Sequence, residues 1–194
     1  MFEKKQNVFD DFISAGRALI GEQETCTSTN PKWKKRAYTN PSQLGISGAS
    51  NGGLLTGAAL VQRPDLWGAV YSGVPLLDML RFHLTEGGKY WTKEYGNPDN
   101  PEHVSFLRAY SPYHNVKKAV YPPTLFETSL GDDRGVDPMR AMKMAARVSY
   151  HNQGDNPILL RVKQGQGHGG AWRVSDSIEQ LVDQYSFFKQ YLQK

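Results

Sequence analysis

Ser50 sits in the stretch GISGASNGG (residues 45–53), where glycines and an alanine crowd around one hydroxyl directly after a short apolar run. Glycine is costly inside helices and strands, so such a cluster needs a reason. Gly48-Ala49-Ser50-Asn51-Gly52 fits G-x-S-x-G, in which a strand turns sharply into a helix and presents a serine at the tip. The same residues also suit a plain glycine-rich loop or a phosphate cradle at a helix N-terminus. Two further residues separate these readings. Asp132 follows the apolar run 124–130, in LGDDRG, and His168 follows the run 157–162, in QGQGHGGAW. The chemistry needs these three types. A serine attacks well only when a base removes its proton, histidine titrates near neutrality, and a carboxylate fixes the imidazole tautomer and stabilises its charged form. The chain order Ser, Asp, His is that of α/β-hydrolases, and three separate strand ends supplying them is far more specific than the motif alone.

Each member has a plainer reading. Gly-Asp-Asp is common turn chemistry, and His168 could be a loop residue on the surface. His83, His103, His114 and His151 are competing bases, but none lies in a glycine-rich loop directly after a strand; His114, in SPYHNV, reads as structural. Cys26 lies in a polar stretch without a nearby histidine, which argues against a thiol nucleophile.

Those loops have to be carried by a scaffold, and apolar periodicity outlines one. Residues 6–20 show helical spacing, 21–41 read as a long polar loop, and 42–47 read as a strand. A small-residue helix over 51–63 stops before Pro64; a buried strand over 68–75 and a short helix near 76–83 follow. Residues 84–100 are polar and aromatic with turns. A helix near 101–109, a strand over 123–130, a helix over 138–152, a strand over 157–162 and an amphipathic helix over 176–192 complete the chain. This alternation predicts an α/β fold, a mostly parallel sheet with helices on both faces, whose chemistry sits on loops at the carboxyl ends of the strands.

The 194 residues suit a single domain, with a loop-like insertion near 21–41. No apolar run is long enough to cross a membrane and no leader segment is visible, so a membrane partner is not expected. One cysteine, with no partner for a disulfide, fits a reducing, cytoplasmic setting. The net charge of +4 comes largely from Lys32, Lys34, Lys35 and Arg36 around Trp33. Such a run can bind polyanions but more often forms a solvated loop, and nucleic acid is not expected as a partner. No zinc-ligand spacing is present; neither metal nor cofactor is expected.

With these residues in place, the sequence resembles the catalytic domain of the prolyl oligopeptidase family of serine peptidases. The matching segments are KQNVFDDF (5–12), ISGASNGGLL (46–55), RPDLWGAVYSGVPLLDMLRF (63–82), YGNPDNPE (95–102), AYSPYHNV (109–116), YPPTLFETSLGDDR (121–134) and GHGGA (167–171), in the family's order. The resemblance implies an α/β-hydrolase fold with Ser50 as nucleophile, Asp132 as the triad carboxylate and His168 as base. It implies the Asn51 amide as one oxyanion donor and Arg134 as the group that holds a substrate carbonyl; the plainer role for Arg134 is an ion pair with Asp133 or Asp137. Phe106 matches a position where prolyl-specific members carry a tryptophan that stacks on the substrate proline.

The sequence also departs from the family pattern. Gly135-Val136-Asp137-Pro138 carries an extra residue after Asp-Asp-Arg, and the region 26–35 resembles an insertion. The resemblance covers only the C-terminal part of the hydrolase domain; the family's β-propeller, first strands and second oxyanion donor, a tyrosine hydroxyl, have no counterpart in it. The strand at 42–47 is then expected to be an open edge, covered by residues 21–41, by a second copy or by another partner. The function these features imply is hydrolysis of a peptide or small ester through an acyl-enzyme on Ser50, by a homo-oligomer that covers the sheet edge. A weak or inactive fragment that needs a complementary part, and a binding module built on residues 32–36, are the alternatives.

Overall fold

The computed structural model describes residues 2–22, 37–85, 87–131, 136–164 and 173–192. Its elements are α1 (Gln6–Leu19), β1 (Gly45–Ala49), α2 (Asn51–Gln62), β2 (Ala69–Gly73), α3 (Thr92–Tyr95), α4 (Pro101–Tyr110), β3 (Thr124–Ser129), α5 (Met139–His151), β4 (Ile158–Lys163) and α6 (Val174–Leu192). The four strands form one parallel sheet in the order β1-β2-β3-β4, with Ile46 beside Val70, Val70 beside Thr124 and Thr124 beside Ile158. Parallel neighbours require crossovers, and α2 and α5 supply two of them.

Alternation along the strands sends side chains to two different layers. Ile46, Val70 and Phe126 enter a core with Leu60 and Val61 of α2, Ile13 of α1, and Met144 and Val148 of α5. On the opposite face, Tyr71 and Leu125 pack with Phe187 of α6. Helices thus lie on both faces, and β2 and β3 are buried along their whole length, as inner parallel strands must be.

Two elements differ from the sequence reading. The strand expected over 42–47 lies over 45–49, because Pro41–Gln43 form a short 3-10 turn first. Asn40 closes that turn by donating to Gln43 Oε1 at 2.9 Å and accepting from the Ser42 hydroxyl at 2.6 Å. The helix expected near 76–83 is an irregular segment ending in a 3-10 turn at Phe82–Leu84. Leu76, Leu77, Met79 and Phe82 are spaced like a helix face and are all buried, yet Asp78 between them is fully buried too. Its carboxylate shapes the segment: it accepts from the Leu80 amide at 3.1 Å and from Arg81 Nη1 at 3.1 Å, and it holds Lys143 of α5. Four residues from Asp78, Phe82 gives its carbonyl to Arg140 Nη2 at 2.9 Å, so two successive turns of α5 are clamped to the segment after β2. The polar stretch 84–100 is also more ordered than its composition suggests, with a 3-10 turn over Gly88–Trp91 running into α3.

Burial pushes the Asp78 carboxyl up, but the hydrogen bond and charge of Lys143, followed by His114 and Arg81, leave it below the ordinary carboxylate range. A carboxyl held low contributes stability that is present above its unfolded pKa and is lost as pH falls through its folded one. Asp78→Ala is expected to destabilise the fold by about 3–5 kcal/mol at pH 7 in urea unfolding, since it strands buried cations. Asp78→Asn should also lose the acid-sensitive part of the stability below about pH 4, giving a flatter stability profile there than the unmodified chain.

Candidate active site

The end of β1 is built around close backbone approach. A Cβ on Gly48 would lie 2.2 Å from the Gly52 carbonyl oxygen, so only glycine lets the chain double back from β1 into α2. One on Gly53 would meet Pro75 at 2.7 Å, which lets α2 sit against the end of β2. Between them, Ser50 takes φ 58 and ψ −119, a conformation rare for a residue with a side chain. Such a residue costs on the order of 1–3 kcal/mol and persists only where the surroundings over-determine it. Here the Ser50 amide donates to the Gly73 carbonyl at 2.9 Å, and the Ser50 carbonyl accepts from the Leu54 amide at 3.1 Å, opening α2. A glycine-rich phosphate cradle would place glycine at the strained position. A serine there is the arrangement of a nucleophile elbow.

Asn51 is the first residue of α2, so its amide lies among the N-terminal groups that have no partner within a helix, at the positive end of the helix dipole. Its side chain is held from outside: the Tyr95 hydroxyl donates to Asn51 Oδ1 at 2.8 Å. Tyr95 is buried, and burial, with the nearby Glu94 charge, pushes its phenol well above the ordinary value, so it stays a donor. The Phe82 ring meets Tyr95 edge-on at 5.4 Å between centroids. The Lys5 ammonium stands 5.0 Å from the Tyr95 ring centroid and pairs with Glu94 at 2.7 Å. Tyr95 and Lys5 are the site residues that sequence reasoning passed over. Both lie in segments it had quoted, YGNPDNPE and KQNVFDDF, but nothing in the sequence showed that Tyr95 reaches Asn51 or that Lys5 stands over the Tyr95 ring.

Because the strands are parallel, β1, β3 and β4 deliver the chain to one edge of the sheet. The Leu130 amide donates to the Lys163 carbonyl at 2.9 Å, tying the ends of β3 and β4 together. Asp132 lies three residues past the end of β3, and His168 five past the end of β4. Asp132, Arg134 and His168 themselves lie outside the described residues, as do Cys26 and the basic run 32–36. Asp137, one of the ion partners considered for Arg134, accepts from the Met139 amide at 2.9 Å at the start of α5. Phe106, on α4, is half-buried; its ring meets Phe2 and His103, and a Cβ on Gly96 would lie 2.9 Å from its Cζ. It therefore supports the turn that follows Tyr95.

The competing histidines have structural partners. His83 Nε2 lies 3.1 Å from Asp99, and His103 Nδ1 accepts from the Asn97 amide at 2.9 Å. His151 ends α5, its ring edge-on to Tyr150. Ser111, His114 and Asp78 also form a Ser-His-Asp group, but it is not a relay. The Ser111 hydroxyl and the Asp78 carboxylate both meet the same ring nitrogen, at 2.9 and 3.8 Å, and Ser111 is fully buried. Burial lowers the His114 pKa, with Asp78 opposing, which suits a neutral structural ring. Among the described residues no group of His, Cys, Asp and Glu could hold a metal ion, and no helix is long and apolar enough to cross a membrane.

Comparison with known proteins agrees with this geometry. A prolyl endopeptidase from Dictyostelium discoideum is 39% identical over 194 residues, spanning 98% of this chain and 24% of its own length. A peptidase from Sinorhizobium fredii is 49% identical over 189 residues, again across 24% of its length. Among solved structures, one from a study of two prolyl endopeptidases superposes with a TM-score of 0.88 at 47% identity, covering 99% of this chain and 26% of that one. Oligopeptidase B from Leishmania major gives 0.87 at 29% identity, covering 99% and 25%. The chain thus spans about a quarter of the length of these relatives. The model of the prolyl oligopeptidase family matches residues 1–194 from end to end, and the chain belongs to that family.

Proposed function

We propose that this chain carries the nucleophile of a serine hydrolase that cleaves peptide or ester bonds through an acyl-enzyme on Ser50. The observation that carries this reading is the strained Ser50 at the carboxyl edge of a parallel sheet, in a chain of the prolyl oligopeptidase family. His168 takes the hydroxyl proton as Ser50 attacks the carbonyl carbon, and returns it to the departing amine or alcohol. Water, deprotonated by the same imidazole, then releases the acid. Asp132 orients His168 and stabilises its charged form. The Asn51 amide donates to the oxyanion that develops during each attack. Arg134 holds a substrate carbonyl, and Phe106 supplies the ring for stacking on a substrate proline, in keeping with relatives named prolyl endopeptidase. The single cysteine supports a reducing, cytoplasmic setting.

The Tyr95 hydrogen bond bears on this directly. Asn51 follows the nucleophile, so fixing its side chain fixes the first turn of α2 and the direction of its amide. A preorganised donor costs no reorganisation when charge develops, which is why a group behind the donor affects rate.

A second reading, a catalytically weak piece that needs a complementary part, is favoured by one observation: the chain matches only a quarter of its relatives' length. The two readings separate in one experiment. A fluorophosphonate probe reacts with an activated serine whatever the natural substrate. Labelling of the folded chain that disappears in Ser50→Ala and falls at least about a hundredfold in His168→Ala is the result expected. A folded chain that stays unlabelled supports the second reading. Tyr95→Phe keeps the ring and removes the bond to Asn51; its labelling rate should drop about 2–10-fold, the worth of one neutral hydrogen bond, with an unchanged circular dichroism spectrum.

A further inference from the structure

Two consecutive residues, Lys5 and Gln6, reach opposite ends of α2, the helix that follows Ser50. Gln6 meets the far end: its amide nitrogen donates to Gln62 Oε1 at 2.9 Å, and its carbonyl accepts from Gln62 Nε2 at 3.2 Å. Lys5 reaches the near end through Tyr95, whose hydroxyl donates to Asn51 Oδ1 at 2.8 Å. Between these points Phe9 of α1 packs in one core with Leu54 and Ala58 of α2. Asn51 is followed by two glycines, so its side chain is the only one that the first three residues of α2 offer as a handle.

The place of Lys5 asks for an explanation. Lysine ordinarily buries its stem and keeps its ammonium in water. Here the residue is 7% exposed, although the side chain of its partner Glu94, at 2.7 Å, is 44% exposed. A lysine at the surface could pair with such a carboxylate at a lower desolvation cost. What the buried position adds is the Tyr95 ring, whose centroid lies 5.0 Å from the ammonium, within the range of a cation–π contact. A cation over the face of a phenol draws electron density from the ring and strengthens its hydroxyl as a donor. It also holds the ring in place, with Phe82 edge-on to it. Both effects are delivered to Asn51, because the side-chain oxygen of Asn51 accepts that hydroxyl.

We propose that Lys5 is a positioning residue: by holding Tyr95 it sets the direction of the Asn51 amide. It acts through the Tyr95 ring and the Asn51 side chain, not on the reacting atoms. Its part in the reaction rests on the reading of Ser50 as nucleophile and the Asn51 amide as oxyanion donor. The link from Lys5 to Asn51 has a readout of its own.

A double-mutant cycle on the full chain, read in two ways, tests this. Lys5→Met keeps the length of the side chain and removes its charge. Glu94 is exposed enough to be solvated without it, so the circular dichroism spectrum should stay unchanged. The fluorophosphonate labelling rate at saturating probe should fall about 2–5-fold with the same half-saturation concentration, and Lys5→Arg should keep most of the rate. In a Tyr95→Phe background the ring remains and the hydroxyl does not. There Lys5→Met should cost nothing further in labelling, while its cost in urea unfolding is the same as with Tyr95 present. The second readout needs no activity. The NMR signal of the Asn51 backbone amide should shift in Lys5→Met and in Tyr95→Phe, and Lys5→Met should add little once the hydroxyl is gone. No loss of labelling, an equal loss in both backgrounds, or an Asn51 signal that ignores Lys5→Met overturns the proposal. A wild-type chain that does not label overturns the hydrolase reading instead, and the NMR cycle then decides whether Lys5 directs Asn51.

Discussion

The conformation of one residue sets the terms for the rest of this structure. Ser50 is held at positive φ, and a side chain stays there only if neighbouring backbone leaves no alternative. The enforcing contacts are the Gly48–Gly52 approach, the fit of Gly53 against Pro75, and the amide bond to Gly73. Each demands small residues at the end of β1 and the start of α2. The demand is felt beyond the turn. β1 is five residues long with two glycines, and it contributes a single buried side chain, Ile46, to the core. A strand so poor in side chains needs help from its neighbours, and Phe188 and Leu192 fill the space above Gly45 that a residue with a side chain would have occupied.

A second layer of support comes from the long crossover between β2 and β3. It sends Tyr95 to Asn51, backed by the Lys5 ammonium, which ties the N-terminal turn of the chain to the helix that begins after Ser50. It sends Asp78 to Lys143, and the carbonyl of Phe82 to Arg140, which fix α5 soon after it leaves the Asp132–Arg134 segment. The buried charge at Asp78 is expensive in isolation and acceptable only because several donors converge on it. Directional bonds of this kind specify position more sharply than apolar contacts of the same area, and they hold the start of α2 and the first turns of α5.

Much of this was legible in the sequence because it is encoded locally. The strand and helix order follows from apolar periodicity, and G-x-S-x-G announces its turn through residues that only such a turn requires. The prolyl oligopeptidase resemblance rested on motifs spread along the chain, and the family match confirms it. What escaped was encoded in three dimensions. Leu76, Leu77, Met79 and Phe82 have helical spacing, but their burial follows from a loop pinned by Asp78, so periodicity misled. Pro41 displaced the start of β1 because a 3-10 turn satisfies Asn40 and Ser42 better than extension would. Tyr95 and Lys5 lie 44 and 46 positions from Asn51 along the chain, on opposite sides, and no spacing rule joins them.

Helix α6 shows why a polar layer can sit where an apolar one would be expected. Glu127 is 4% exposed on β3, yet it meets Lys163 at 3.0 Å, Arg161 at 3.4 Å and Gln180 at 2.7 Å, and together with burial it drives the Tyr71 phenol above its ordinary value. Replacing such a group by packed hydrocarbon is often neutral or favourable for stability, so stability alone does not explain it. Direction does. Bonds from Gln180, Gln184, Glu179 and Asp183 reach residues on four different strands and leave α6 one rotational setting across the sheet. An apolar inner face could slide or roll by a turn at little cost. With the setting fixed from beneath, Phe188 and Leu192 are held in place over Gly45 of β1.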